Sequence, residues 1–122
     1  MKDFSGTDES QVLFKGNKFF IIRDKFPVSP GHLLIISNED KKDYFELNPF
    51  ETEELQVMIH KCKEIIESEY KPDGYNIGMN CGEAAGQTVF RFHCHVIPRY
   101  TGDMKDPRGG VRHCLKGKGY YG

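Results

Sequence analysis

The chain has 122 residues, with 38% hydrophobic and 29% charged side chains and a formal net charge of −1 at pH 7. That length closes one hydrophobic core and leads us to expect a single domain over residues 1–122. The near-neutral balance excludes a broad electrostatic footprint for nucleic acid or an anionic membrane, so any phosphate-bearing ligand must be met by a local site. No apolar run nears the ~20 residues that span a bilayer. Residues 1–6 carry no apolar segment and are not expected to act as a secretory signal. The expected setting is cytoplasmic. There, Cys62, Cys81, Cys94 and Cys114, spaced too widely for a paired zinc knuckle, are expected as reduced thiols, some of them buried.

Residues 12–14 and 19–22 read as two strands around a Gly16-Asn17 turn. Residues 24–31 hold Pro27, Pro30 and Gly31 and read as a fixed loop. The apolar run 32–36 predicts a short buried strand. Ser37, with Asp40 at its third position, can cap a short helix carrying Tyr44, Phe45 and Leu47. Asn48, Pro49 and Glu51 form the start signal of a longer helix. Within it Leu55, Met58, Ile59, Cys62, Ile65 and Ile66 recur as one buried stripe, with His60 on the solvated side. Residues 71–74 end that helix. Residues 75–80 alternate as a strand, 81–86 form a small-residue loop, and a last strand runs over 88–97 until Pro98 stops it. The glycine-rich basic tail 102–122 is assigned no regular structure. Strands, then helices, then strands predict an α+β fold, an antiparallel sheet of about five strands with one long and one short helix on one face.

Chemistry concentrates in Val89-Phe90-Arg91-Phe92-His93-Cys94-His95-Val96. On a strand, Phe90, Phe92, Cys94 and Val96 face one way and Val89, Arg91, His93 and His95 the other, with neighbours on one face roughly 6.5–7 Å apart. The first set belongs in a core. The second sets a guanidinium and two imidazoles in a row, which requires water or an anion. Arginine suits phosphate. A neutral imidazole can attack phosphorus while a second protonates the leaving group. The preceding loop, Asn80 to Thr88, allows close backbone approach, and Asn80, Gln87 and Thr88 supply neutral donors. On alternation alone a solvated polar strand face explains the pattern equally well. A zinc site on His93 and His95 would need a third ligand. His32 and His113 are available, neither at a ligand-like spacing, and Arg91 would repel a divalent cation.

The run Gly86-Gln87-Thr88-Val89-Phe90-Arg91-Phe92-His93-Cys94-His95-Val96-Ile97-Pro98-Arg99 resembles the signature of the histidine-triad (HIT) superfamily. Asp24 to Ile36 resembles that family's upstream block, and residues 102–112 resemble its bacterial diadenosine-polyphosphate hydrolase-like branch. The resemblance implies a HIT-like fold and attack by His93 on a nucleotide α-phosphate through a covalent nucleotidyl-histidine, with His95 helping the leaving group depart. It implies phosphate contacts from Asn80, Gln87 and Thr88, nucleoside contacts from Asp24 and Ile22, and a supporting place for His32. It also implies a homodimer with a continuous sheet, a small nucleotide as substrate, and chemistry that uses no metal or other cofactor. Arg91 stands where the family has its first histidine, which is not the nucleophile. It either contacts an additional phosphate or marks a nucleotide-binding protein with little turnover.

Overall fold

A computed structural model of the chain describes residues 7–121; the reading of residues 1–6 lies outside the described residues. Five strands pair antiparallel in the order β1-β2-β3-β5-β4: β1 (Val12–Lys15), β2 (Phe19–Arg23), β3 (Leu33–Ser37), β4 (Gly74–Gly78) and β5 (His93–Arg99). One long helix, α1 (Pro49–Glu69), packs against β2, β3 and β5. The fold is α+β, as the order of elements predicts.

Two-residue alternation sorts the strand residues onto two faces. Phe19, Ile21, Leu33, Ile35, Cys94 and Val96 meet Leu55, Met58, Cys62 and Ile66 of α1 in the main core, flanked by Ile59 and Ile65. Phe92 joins them and sets its ring edge-on to Phe19 at 5.8 Å. Ile22, Leu34 and Ile36 form a second, smaller cluster on the opposite face, covered in part by Val12, Phe20 and Val89. Cys62 and Cys94 lie in the main core, where burial pushes both thiols up to about 12. All four cysteines are unpaired. Among the described residues no helix is long and apolar enough to cross a membrane.

The helix begins where its capping signal places it. Asn48 Oδ1 accepts the Glu51 N–H and Glu51 Oε1 accepts the Asn48 N–H, each at 2.9 Å. Glu54 then accepts the backbone N–H groups of Lys18 and Phe19 at 2.7 and 3.2 Å, which fastens the helix to the β1–β2 turn. His60 is exposed, as expected, with Nδ1 on the Gln56 carbonyl. At the far end, Gly31 adopts φ +95°, and a Cβ there would lie 3.0 Å from the Tyr70 ring. Glycine is what lets the 24–31 loop turn tightly into β3 against the end of α1.

Several expectations are corrected. Ser37 caps no helix: it is the last residue of β3, and the short helix is a single 3-10 turn, Tyr44–Glu46, capped by Asp43. The strand expected from residue 88 begins only at His93. Phe90, outside it, is 43% exposed and takes no part in the core. Pro98 does not stop β5, which runs on to Arg99. By then β5 has outrun β3, whose pairing ends at Leu33 with Val96. The absent proline N–H therefore faces no ladder partner, and the Pro98 carbonyl accepts from Ser29 Oγ at 2.6 Å. His32 immediately precedes β3. In the tail, Gly110–Cys114 forms a 3-10 helix entered through the left-handed Gly109.

Removing the helix cap tests this account. Asn48→Ala is expected to cost about 1 kcal/mol, read as a lower urea midpoint with an unchanged m value. An unchanged midpoint would show that packing alone sets the start of α1.

Candidate functional site

The site lies on the sheet face opposite α1. His93 sits beside Ile36 of β3, and His95 lies between Leu34 of β3 and Gly78 of β4. The two rings are 5.3 Å apart between centroids. Across the sheet from His95, Leu34 pairs with Ile22 of β2. An apolar floor thus adjoins two imidazoles, and the loop from β2 to β3 closes the row with Asp24 and His32.

Hydrogen bonds settle which ring nitrogens carry protons. His93 Nδ1 lies 2.9 Å from the Arg91 carbonyl. A carbonyl only accepts, so Nδ1 holds a proton and the neutral ring carries its lone pair on Nε2. The Val28 N–H donates to His32 Nδ1 at 3.2 Å. That bond puts the His32 proton on Nε2, which is 2.9 Å from His95 Nδ1. His95 accepts there, so its own proton is on Nε2. One strand face therefore offers a nitrogen lone pair on His93 and an N–H on His95.

Burial fixes the charge of the relay. Desolvation lowers the pKa of His95 to about 4, reinforced by the neighbouring His32 and His93 and opposed by Asp24. Desolvation also lowers His32, again against Asp24. Both rings are neutral at physiological pH. Asp24 Oδ1 accepts the Phe26 N–H at 2.8 Å, while Oδ2 lies 3.3 Å from His32 Nε2 and 3.8 Å from His95 Nδ1.

The other expected residues divide. Ile22 is buried in the apolar floor, and Asp24 and His32 join His95 directly. Asn80 and Thr88 are exposed on the segment between β4 and β5. Asn80 follows Gly78 by two residues, which carries it toward the His93 end of the row. Gln87, expected at phosphate, is 3% exposed and braces the loop. Its amide donates to the Lys42 and Val89 carbonyls at 2.7 and 3.1 Å, and its Oε1 accepts the Gly82 N–H at 2.8 Å. Arg91, also expected at phosphate, turns Nε and Nη2 onto the Ser37 carbonyl at 3.0 and 2.8 Å, and Nη2 reaches the Asn38 carbonyl at 3.0 Å. Backbone groups missed in the sequence, the Val28 N–H and the Arg91 carbonyl, set the tautomers. Such groups leave no side-chain signal.

Asp24, His32 and His95 also bring three metal-ligating atoms within 4.8 Å of one another. Nitrogen and carboxylate donors of this kind suit zinc. Coordination through His32 Nε2 would, however, move its proton to Nδ1, which faces the Val28 N–H. Two donors would then oppose each other, so the hydrogen bonding fits a proton on Nε2 better than a metal.

The HIT domain family matches residues 5–102 of the chain. The AP-4-A phosphorylase of Mycobacterium tuberculosis is 30% identical over 97 residues, which make up 79% of this chain and 50% of that protein. The asymmetrical bis(5'-nucleosyl)-tetraphosphatase of Schizosaccharomyces pombe is 32% identical over 97 residues, 80% of this chain and 53% of that one. The chain thus spans about half the length of these two relatives. The crystal structure of a HIT family protein from Bacillus anthracis superposes with a TM-score of 0.71 at 35% identity, covering 76% of this chain and 66% of that one. With the HIT domain model matching most of its length and its fold superposing on that of a HIT family protein, the chain belongs to the HIT domain family.

Proposed function

We propose that the protein is a nucleotide hydrolase or nucleotidyl transferase that acts at the α-phosphate of dinucleoside polyphosphates or nucleotide phosphoramidates. The pairing of tautomers carries this reading: a lone pair on His93 Nε2 beside an N–H on His95 Nε2, both on one face of β5. His93 Nε2 attacks the α-phosphorus, an N–P bond forms, and the bond to the leaving group breaks. As the phosphate binds, His95 takes a proton from solvent, and the leaving atom takes the Nε2 proton of that imidazolium, which returns the ring to neutral. Water then attacks the nucleotidyl-His93, its proton passes to His95, and the nucleoside monophosphate departs. Two in-line displacements give net retention at phosphorus.

The base lies on the Ile22 floor, and the ribose hydroxyls donate to Asp24, whose carboxylate has acceptor capacity beyond its present bonds. Asn80 and Thr88 contact the phosphate as neutral donors. His95 is neutral before substrate arrives, and a phosphate placed against it favours its charged form, so its strength as a donor grows as the anion enters. The same reading takes a cytoplasmic nucleotide as substrate and a homodimer joined at an edge strand, β1 or β4.

Rapid quench with diadenosine tetraphosphate labelled in the nucleotide is expected to trap a labelled wild-type chain, and no label in His93→Ala. His95→Asn is expected to lose roughly 10²–10⁴-fold in kcat. Nucleotide binding with no label and no product in wild type would overturn the reaction and leave a binding protein.

The neutral relay has its own signature. The unfolded chain binds a proton at His95 near 6.5 and the folded chain only near 4, so acid favours unfolding across that window. His32, lowered in the same direction, adds to the effect. Stability from urea titrations is expected to fall as pH drops from 6.5 toward 4, and less steeply in His95→Asn. Equal slopes in the two proteins would mean that His95 is not held neutral.

A further inference from the structure

The sheet breaks one residue before His93, and Arg91 mends the break. Ile36 pairs with His93, so the next step of the ladder sets Ser37 opposite Phe92. The Ser37 N–H donates to the Phe92 carbonyl at 3.3 Å. The returning bond is missing, because the Phe92 N–H points to the Lys41 carbonyl at 2.6 Å. Ser37 is 0% exposed, and a buried carbonyl deprived of its donor is costly. The Arg91 fork supplies that donor through Nε and Nη2, and reaches the Asn38 carbonyl as well. The Phe20 ring lies 5.9 Å from the guanidinium carbon and bounds it on one side. The carbonyl of this same anchored residue takes the His93 Nδ1–H.

Resting on the reading of His93 as nucleophile, we propose that Arg91 is a positioning residue: its guanidinium replaces the lost ladder donor at Ser37 and so fixes the backbone carbonyl that holds the His93 proton on Nδ1. The role needs a planar fork on a long stem. Lysine reaches one carbonyl with a single ammonium, whereas methionine keeps the length and offers no donor. A histidine is shorter, and its two nitrogens point in different directions.

The test is ¹⁵N NMR of the histidine rings in the full chain, at a pH where they are neutral, with His93→Ala identifying the His93 signals. Wild type is expected to show His93 protonated on Nδ1. In Arg91→Met those signals move toward a mixture of tautomers while His95 stays protonated on Nε2, and Arg91→Lys restores part of the wild-type pattern. With diadenosine tetraphosphate, Arg91→Met is expected to lose roughly 10–100-fold in kcat, the scale of a small misplacement of a reacting group, with KM changed less than about threefold. A His93 tautomer unchanged in Arg91→Met overturns the proposal. So does a KM effect that grows with the number of phosphates at constant kcat, since that assigns Arg91 to the polyphosphate. Should Arg91→Met fail to fold, Arg91→Lys carries the test, and a wild-type His93 pattern with wild-type kcat there overturns it. Absence of turnover in wild type would instead sink the nucleotidyl-transfer reading, and the NMR arm would still decide the role of Arg91.

Discussion

β5 is hydrogen-bonded on both sides, to β3 over residues 93–96 and to β4 over residues 95–99, and the candidate site depends on that double clamp. A strand held on both edges cannot slip by one residue without turning Cys94 and Val96 out of the main core. The register that buries those two residues is the register that presents His93 and His95 on the opposite face. Core packing and site geometry are thus one constraint. The imidazoles inherit the rigidity of the core without being part of it. The loop from β2 to β3 adds the orienting bonds, because Gly31 turns the chain tightly enough to bring the Val28 N–H and Asp24 to either side of His32.

The electrostatics follow from the same arrangement. Burial strips His32 and His95 of charge, and Asp24 only partly restores what desolvation removes. The Arg91 guanidinium spends Nε and Nη2 on two backbone carbonyls. In the proposed reaction, phosphate is met chiefly by oriented neutral donors. Such donors need little reorganisation when charge develops on phosphorus. A row of protonated imidazoles would hold an anion more tightly, but it would have no lone pair with which to attack.

Much of this was legible in the sequence, for a physical reason that also explains where legibility stopped. Alternation identifies the faces of His93, Cys94, His95 and Val96 because pairing to β3 over all four, joined by β4 from His95 onward, enforces a two-residue period there. The same alternation fails at Phe90, which is exposed because the strand has not yet begun. The capping box at Asn48 and Glu51 reads correctly because its bonds are local. Ser37 and Asp40 show a similar spacing, yet Ser37 is claimed by the sheet, and tertiary pairing outweighs a cap. The chemistry of Gln87 and Arg91 suggests ligand contact and says nothing of a bracing role. Their hydrogen bonds go to Lys42, Val89, Ser37 and Asn38, carbonyls whose need for donors arises only once the loop is folded.

That last point bears on the place of Arg91 in a family marked by a histidine at the corresponding position. Two parts of this residue act in series. Its carbonyl sets the tautomer of His93, and any residue type supplies a carbonyl. Its side chain closes the gap that opens in the ladder when the Phe92 N–H turns to Lys41. A side chain at this position is therefore constrained by the shape of the strand end, and it acts on the reacting atoms only through the backbone it holds. Exchange of histidine for arginine there leaves the lone pair on His93 and the N–H on His95 where the proposed reaction requires them. The substitution that marks this chain falls on the frame of the site, and the chemical groups that would act on a nucleotide are retained.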